Sequence, residues 1–166
     1  MEPLTSGTIP HTEAGTVQFT PDTDGLYLLG VCAGGCAYTI LKSNVPIGLH
    51  AADGLSVIQG AKRLYFHVPA GLAEFTMTIK GQGVESVRLN VFDPSGQQVA
   101  TGDASNEAVA VVVKAGESAG KTWSLELTKA DQRVLEDATI TIDGKLPPTL
   151  SLLPEQVFQL VPASAP

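Results

Sequence analysis

The residues best suited to bind a ligand lie between residues 64 and 92, where polar and apolar side chains alternate in three short stretches. An aromatic ring beside hydrogen-bonding groups suits a sugar, whose ring has an apolar face and polar edges. The sequence therefore predicts a saccharide-binding surface. The alternative is an ordinary solvated sheet face, on which threonines are common. The polar residues that would form this surface are Tyr65, His67, Thr76, Thr78, Lys80, Arg88 and Asn90.

Catalytic motifs are missing from the sequence, which contains no GxSxG, HExxH, P-loop or GxGxxG pattern. The chain is therefore predicted not to be an enzyme. His11, His50 and His67 lie far apart in the sequence, without the paired spacing or acidic neighbours of a metal site. A metal-dependent enzyme in which these histidines converge in space is kept as an alternative.

Three aspartates, Asp22, Asp24 and Asp93, lie in turn sequences. Aspartates in turns usually accept hydrogen bonds from their own backbone, so a structural role is predicted for them. A structural calcium ion, held by their carboxylate oxygens, is the alternative. No other cofactor is predicted.

Two cysteines, Cys32 and Cys36, flank the loop Ala33-Gly34-Gly35. If residues 26–32 and 36–41 form a hairpin, these cysteines face each other at a separation that a disulfide can span. The expectation is a disulfide formed in an oxidising compartment. The alternative is a pair of small buried thiols.

Antiparallel strands are the elements that would position the predicted surface. Apolar residues occupy every second position of residues 64–68, 75–79 and 87–91, as expected for half-buried strands. Turn residues at 69–71 and 81–83 separate the stretches. The pattern predicts an antiparallel meander, with the seven polar residues together on its solvent face.

Further short stretches are typical of strands, and about ten candidates in all predict an all-β, antiparallel β-sandwich of jelly-roll type. Trp123 shares the apolar face of its stretch and is predicted to lie in the core. Single helical turns are predicted only at 130–137 and 154–157. The other strand candidates are residues 16–20, 26–32, 36–41, 55–58, 107–114, 122–128 and 138–142, with 157–160 as a final edge.

Length and charge limit the classes of partner. The 166 residues suit one sandwich domain, predicted over residues 1–160 with a linker-like tail at 161–166. The composition of both ends predicts a piece of a longer chain. A formal net charge of −7 argues against a nucleic-acid partner and against attraction to an anionic membrane. No apolar run approaches the ~20 residues of a membrane span.

The stretch YFHVPAGLAEFTMTIKGQGVESVRLNVFDPSGQQV resembles a recurring segment of β-sandwich accessory domains in large secreted bacterial proteins that carry carbohydrate-active domains. The shared features are an aromatic strand that ends in VPAG, a strand headed by Phe75 and the VFDPSG turn. The later WSLEL and LPPTLSLLPEQVF segments are also similar, so the likeness covers residues 26–158. It implies a galactose-binding-like or jelly-roll sandwich that is secreted or extracytoplasmic, and it transfers no ligand-binding residue.

These observations lead to three functional hypotheses. The first is a non-catalytic module that binds polysaccharide and keeps an appended carbohydrate-active enzyme near its substrate. The second is a structural spacer that packs against neighbouring domains of the same chain. The third is the metal-dependent enzyme with converging histidines.

Overall fold

Ten β-strands form two antiparallel sheets in the computed structural model, which describes residues 4–130 and 133–159. All ten lie in the second of two compact units, Met1–Lys42 and Ser43–Pro166. The predicted all-β sandwich is therefore confirmed. In chain order the strands are β1 (Gly48–His50), β2 (Leu55–Ile58), β3 (Ala61–Val68), β4 (Glu74–Gly81), β5 (Val87–Phe92), β6 (Gln98–Ala104), β7 (Val109–Lys114), β8 (Lys121–Lys129), β9 (Asp137–Ile142) and β10 (Thr149–Ser151).

The larger sheet has six strands in the order β1-β10-β3-β8-β5-β6, and the smaller has four in the order β2-β9-β4-β7. Every neighbouring pair is antiparallel. Only β5 and β6 are both consecutive in sequence and paired, through the turn in which Gly96 donates to the Asp93 carbonyl. Every other connection between consecutive strands crosses from one sheet to the other.

Alternation along the strands places one side chain in two between the sheets. The apolar residues predicted to face inward on β3, β4 and β5, namely Leu64, Phe66, Val68, Phe75, Met77, Ile79, Val87, Leu89 and Val91, are at most 3% exposed, which confirms the predicted inward faces. Trp123 on β8 is 2% exposed, so its predicted place in the core is also confirmed. Removal of this apolar surface from water is the main stabilising contribution to the fold.

Three aromatic rings connect the two sheets at the centre of the core. Phe66 and Trp123 are cross-strand partners in the six-stranded sheet, and Phe75 reaches them from the four-stranded sheet. The Phe75 ring centre lies 5.7 Å from that of Phe66 and 5.6 Å from that of Trp123, both in edge-to-face geometry. The Trp123 indole Nε1 donates to the Ser118 carbonyl at 2.9 Å, so its one polar atom is satisfied.

The predicted meander of adjacent strands is wrong. β3 and β5 belong to the six-stranded sheet with β8 between them, whereas β4 belongs to the four-stranded sheet. The physical reason is that alternation assigns an inward and an outward face to a strand but does not say which sheet contains it. The turn residues at 69–71 and 81–83 begin connections that cross from one sheet to the other.

A buried carboxylate holds the connection from β4 to β5 in place. Glu85, which is 9% exposed, accepts backbone hydrogen bonds from Glu136, at 2.7 Å, and from Asp137. Ser86 donates its backbone N–H to the Val134 carbonyl at 3.1 Å. The loop that leads into β5 is thereby attached to the segment that leads into β9.

Three strands were missing from the predicted set, and all three are marginal in sequence. β6 contains polar residues and Gly102, so its sequence has only a weak propensity for a strand. It lies at the edge of its sheet. β1 and β10 have three residues each. The predicted edge strand at 157–160 is not formed by residues 157–159, and residue 160 lies outside the described residues.

Short 3-10 helices occur at Gly116–Ser118, where none was predicted, and at Pro154–Gln156, within the helical turn predicted at 154–157. Of the turn predicted at 130–137, residues 131 and 132 are not among those described, and the rest is not helical. Within the described ranges no helix has the length and apolar character needed to cross a membrane.

The strands predicted at 16–20, 26–32 and 36–41 are wrong. Residues 4–42 contain turns but no strand, and none of their side chains is buried. A strand needs a neighbour to which its backbone can pair, and the described part of this unit supplies none. The predicted domain of residues 1–160 thus has its strands only from Gly48 to Ser151, and the predicted tail at 161–166 lies outside the described residues.

The predicted disulfide is not formed. The turn is present, since Cys36 donates its backbone N–H to the Ala33 carbonyl at 3.0 Å, but no paired strands flank it. Cys32 and Cys36 are free and exposed. The alternative of two buried thiols is therefore wrong as well, because both side chains are exposed.

Gly102 on β6 faces inward and lets the two sheets approach at their edge. A Cβ atom at this position would clash with the Val111 Cγ2 atom on β7 in the other sheet. Because Val111 is itself only 7% exposed, it has little room to move.

Gly102→Ala is expected to lower the free energy of unfolding by about 1–3 kcal/mol through overpacking. Urea denaturation of the single variants and of Gly102→Ala/Val111→Ala measures this effect. The smaller side chain at 111 should relieve the clash, so the double variant should be more stable than the sum of the single losses predicts, by about 1 kcal/mol. Strictly additive losses would show that the two positions are not in contact.

Candidate ligand-binding surface

The sandwich separates the seven predicted binding residues into two groups. Tyr65, His67, Arg88 and Asn90 lie on the outer face of the six-stranded sheet. The other group consists of Thr76, Thr78 and Lys80 on β4, on the outer face of the four-stranded sheet. The two groups therefore face opposite sides of the domain, and no single ligand surface contains all seven.

Strand register brings two aromatic residues into one row on the outer face of the six-stranded sheet. Tyr65 on β3 is opposite Ser124 on β8, and Ser124 is opposite Phe92 on β5. Neighbouring strands are about 4.8 Å apart, so Tyr65 and Phe92 are separated by about 10 Å at the backbone. We call the row Tyr65, Ser124 and Phe92 the aromatic row.

Arg63 on β3 contacts two members of the aromatic row, Phe92 and Ser124, and also Glu126 on β8. Its guanidinium carbon lies 4.0 Å from the centre of the Phe92 ring, a cation–π contact. The same group donates from Nε to Glu126 at 3.0 Å and from Nη1 to the Ser124 hydroxyl at 3.1 Å. Nη2 lies 2.8 Å from the Glu126 carboxylate. Arg63 is thus held over the Phe92 ring, and its charge is paired with that of Glu126.

A shallow depression of about 610 Å³ continues the surface from β8 across β5 to β6. Arg88 donates to both carboxylate oxygens of Asp103, at 2.7 and 2.6 Å, in a bidentate pair. Thr101 donates its hydroxyl to the Asn90 side-chain oxygen at 3.0 Å, which leaves the Asn90 amide nitrogen as a donor. The residues that line the depression are Arg88, Asn90, Gln98, Thr101, Gly102, Asp103 and Thr128.

The C-terminal part of the described chain borders this surface on the β10 side. Ser151, the partner of Tyr65, donates its hydroxyl to the Gln156 carbonyl at 2.8 Å and is 1% exposed. The Phe158 ring packs over Gly48 on β1, where a Cβ atom would lie 2.8 Å from it. Residues 151–158 therefore cover the outer face of β1 and β10, and Tyr65 lies beside this cover.

His67 is half-buried on β3, two residues beyond Tyr65 and opposite Thr122. Among the described residues, the enclosed side-chain atoms without a hydrogen-bond partner are the His67 Nδ1 and the Thr149 Oγ1. Burial lowers the pKa of His67 below its usual value, because the charged imidazolium is poorly solvated there. His67 is therefore a neutral, partly enclosed neighbour of the aromatic row.

The outer face of the four-stranded sheet lacks an aromatic residue among its predicted members. Thr78 lies opposite Thr141 on β9, and Lys80 lies opposite Thr139. A smaller depression of about 260 Å³ adjoins Lys80 and Thr139 at the end of β4. Thr76, Thr78 and Lys80 are thus a polar sheet face without a platform for a sugar ring.

The aromatic row and its polar contacts include four residues that were not predicted. Phe92 follows the alternation of Arg88 and Asn90, and Arg63 follows that of Tyr65 and His67, so the same pattern carried a signal for both. The other two, Ser124 and Glu126, lie on β8, which is inserted between β3 and β5, a pairing that the order of strands along the chain does not reveal.

The described residues contain no group of three or more histidine, cysteine, aspartate or glutamate side chains that could hold a metal ion. Asp93 binds its own turn, accepting from the backbone N–H groups of Ser95 at 2.8 Å and Gln97 at 3.0 Å. A hydrogen bond from the Ser95 hydroxyl, together with these backbone bonds, lowers the pKa of Asp93. This is the structural role that was predicted for a turn aspartate.

Comparison with models of known protein families gave no match, and a search of curated proteins gave none either.

The lowered pKa of His67 gives the fold a predictable dependence on pH. The unfolded histidine titrates near 6.5, and the native one below that value. Below about pH 6.5 the unfolded state binds more protons, so stability should fall as the pH falls from about 7 to about 5. Above this range His67 is neutral in both the folded and the unfolded state, so it adds no pH dependence to the free energy of unfolding.

Denaturant titrations of the wild type and of His67→Gln over this pH range measure the contribution. The variant should lose less stability on acidification than the wild type. Tyr65→Phe, which alters the same face and keeps the histidine, is the matched control and should retain the wild-type slope. An equal slope in the wild type and in His67→Gln would contradict the argument.

Proposed function

We propose that this chain is a non-catalytic accessory module that binds polysaccharide through the outer face of its six-stranded sheet. The module belongs to a larger secreted protein and keeps an appended carbohydrate-active enzyme close to its substrate. Tethering of this kind raises the local substrate concentration without any chemistry in the module itself.

The aromatic row is the observation that carries this proposal. Tyr65 is half-buried on the outer face of the sheet, as expected of a ring on which a sugar can stack. Phe92, stacked with Arg63, lies two strands away on the same face. A single sugar ring is too small to touch both aromatic residues, so the row favours an oligosaccharide segment over a monosaccharide.

The depression beside the row supplies the hydrogen-bonding part of such a site. Its lining contains amide, hydroxyl, guanidinium and carboxylate groups, which together donate to and accept from sugar hydroxyls. These groups are held in fixed positions by the Arg88–Asp103 and Thr101–Asn90 hydrogen bonds. A pre-ordered surface binds at a lower entropic cost than a flexible one.

A structural spacer is the second candidate, and the first unit of the chain favours it. Residues 4–42 carry many exposed large apolar side chains, a composition typical of a surface that packs against another protein layer. Those side chains are Leu4, Ile9, Val17, Phe19, Leu26, Tyr27, Leu28, Leu29, Val31, Tyr38, Ile40 and Leu41.

Isothermal titration calorimetry against a panel of soluble polysaccharides tests the proposal. The wild type should bind at least one glycan, and Tyr65→Ala should weaken that binding by about tenfold or more, through loss of a stacking contact. Thr78→Ala on the opposite face is the matched control and should bind as the wild type does.

The outcomes of this titration separate the two candidate functions. Failure of the wild type to bind any glycan would overturn the binding module and leave the spacer. Equal weakening by Tyr65→Ala and Thr78→Ala would show that the aromatic row is not the site.

A further inference from the structure

Two ion pairs lie on the proposed binding face among the described residues. Arg63 pairs with Glu126, and Arg88 pairs with Asp103. The first pair is partly enclosed, with 35% and 27% of the two side chains exposed. The second is more open, at 41% and 50%.

Each guanidinium already uses some of its N–H donors within the protein, and these donors are not open to an anionic ligand. Arg63 directs Nε and Nη2 to Glu126 and Nη1 to Ser124, and it stacks on Phe92. Arg88 directs Nε and Nη2 to Asp103 in the fork geometry that carboxylates and sulfates both favour. An anionic ligand group that sought the same edge of either guanidinium would therefore have to compete with a carboxylate that is already bound there.

The rest of the protein adds to this effect. The chain carries a formal net charge of −7, so its long-range field repels polyanions. Like charges brought together at a binding surface oppose association, whereas hydroxyl groups can use both members of each ion pair as donor and acceptor.

Building on the proposed function, we infer that the ligand is a neutral polysaccharide and that Asp103 and Glu126 set this specificity by neutralising the two arginines. The carboxylates disfavour uronic acid and sulfate groups on this face, Glu126 beside the aromatic row and Asp103 in the depression. Substitution of either carboxylate by its amide removes one negative charge from the face.

Calorimetry with two sets of polymers tests the inference: neutral glucans, mannans and xylans, and polygalacturonate with chondroitin sulfate as acidic probes. The wild type should bind a neutral polymer at least about tenfold more tightly than either acidic one. Its affinity should change little between about 0.05 M and about 0.5 M salt, because no net charge is neutralised on binding.

Asp103→Asn keeps the shape of the side chain and removes the carboxylate that pairs with Arg88. It should strengthen binding to the acidic probes by about two- to fivefold at low salt, and the gain should disappear at high salt. Glu126→Gln tests the more enclosed pair in the same way. Glu107→Gln, an exposed carboxylate in the loop before β7, is the control and should leave both affinities unchanged.

Each outcome has a distinct meaning. A wild type that prefers an acidic polymer, or variants with unchanged affinity for the acidic probes, would overturn the inference and leave the binding module intact. An equal gain in Glu107→Gln would show that only overall charge matters, which also overturns it. A wild type that binds neither set would overturn the proposed function itself.

Discussion

The contact of Phe75 with Phe66 and Trp123 is the interaction on which the rest of this structure depends. It is where the four-stranded sheet meets the six-stranded sheet, with the rings edge to face and 2% exposed or less. Removal of one such ring from a core costs about 3–5 kcal/mol, a large share of the stability of a small domain. When this contact is formed, the apolar side of each strand faces the interior and the other side faces the exterior.

The direction in which each strand faces determines which residues share a surface. Once β3, β8 and β5 turn their apolar sides inward, Tyr65, Ser124 and Phe92 must lie together on the outside. The same constraint sends the threonines of β4 to the far side of the sandwich. The two outer faces consequently differ in character: one has aromatic rings and paired charges, and the other is a row of threonines and lysine. The proposed binding face is a consequence of sheet membership rather than of local sequence.

The inward and outward sides of individual strands could be predicted from the sequence, because they follow from alternation alone. The core position of Trp123 and the turn role of Asp93 were found in this way. Sheet membership could not be predicted, because β4 alternates in the same manner whichever sheet contains it. For that reason four of the seven predicted binding residues lie together and three do not. Phe92 and Arg63 could be found from the alternation of β5 and β3, whereas the place of Ser124 and Glu126 beside them depends on the insertion of β8.

In the first unit, the sequence pattern predicted strands that the described residues do not form. Residues 16–20, 26–32 and 36–41 have the alternation of strands, yet the structure leaves them unpaired and exposed. Alternation reports that one side of a segment suits burial, but it does not supply the neighbour that would bury it. The free cysteines follow from the same cause, since a cross-strand disulfide requires the paired strands that Cys32 and Cys36 lack.

The central claim is that sheet packing creates a ligand surface on the six-stranded sheet only. Titration of the ¹⁵N-labelled chain with a soluble neutral oligosaccharide, followed by amide chemical shifts, tests it directly. The account predicts shifts at Tyr65, Phe92, Ser124 and their neighbours on β3, β5 and β8, with β4 and β9 unaffected. Shifts centred on Thr76, Thr78 and Thr141, or spread evenly over both sheets, would contradict it.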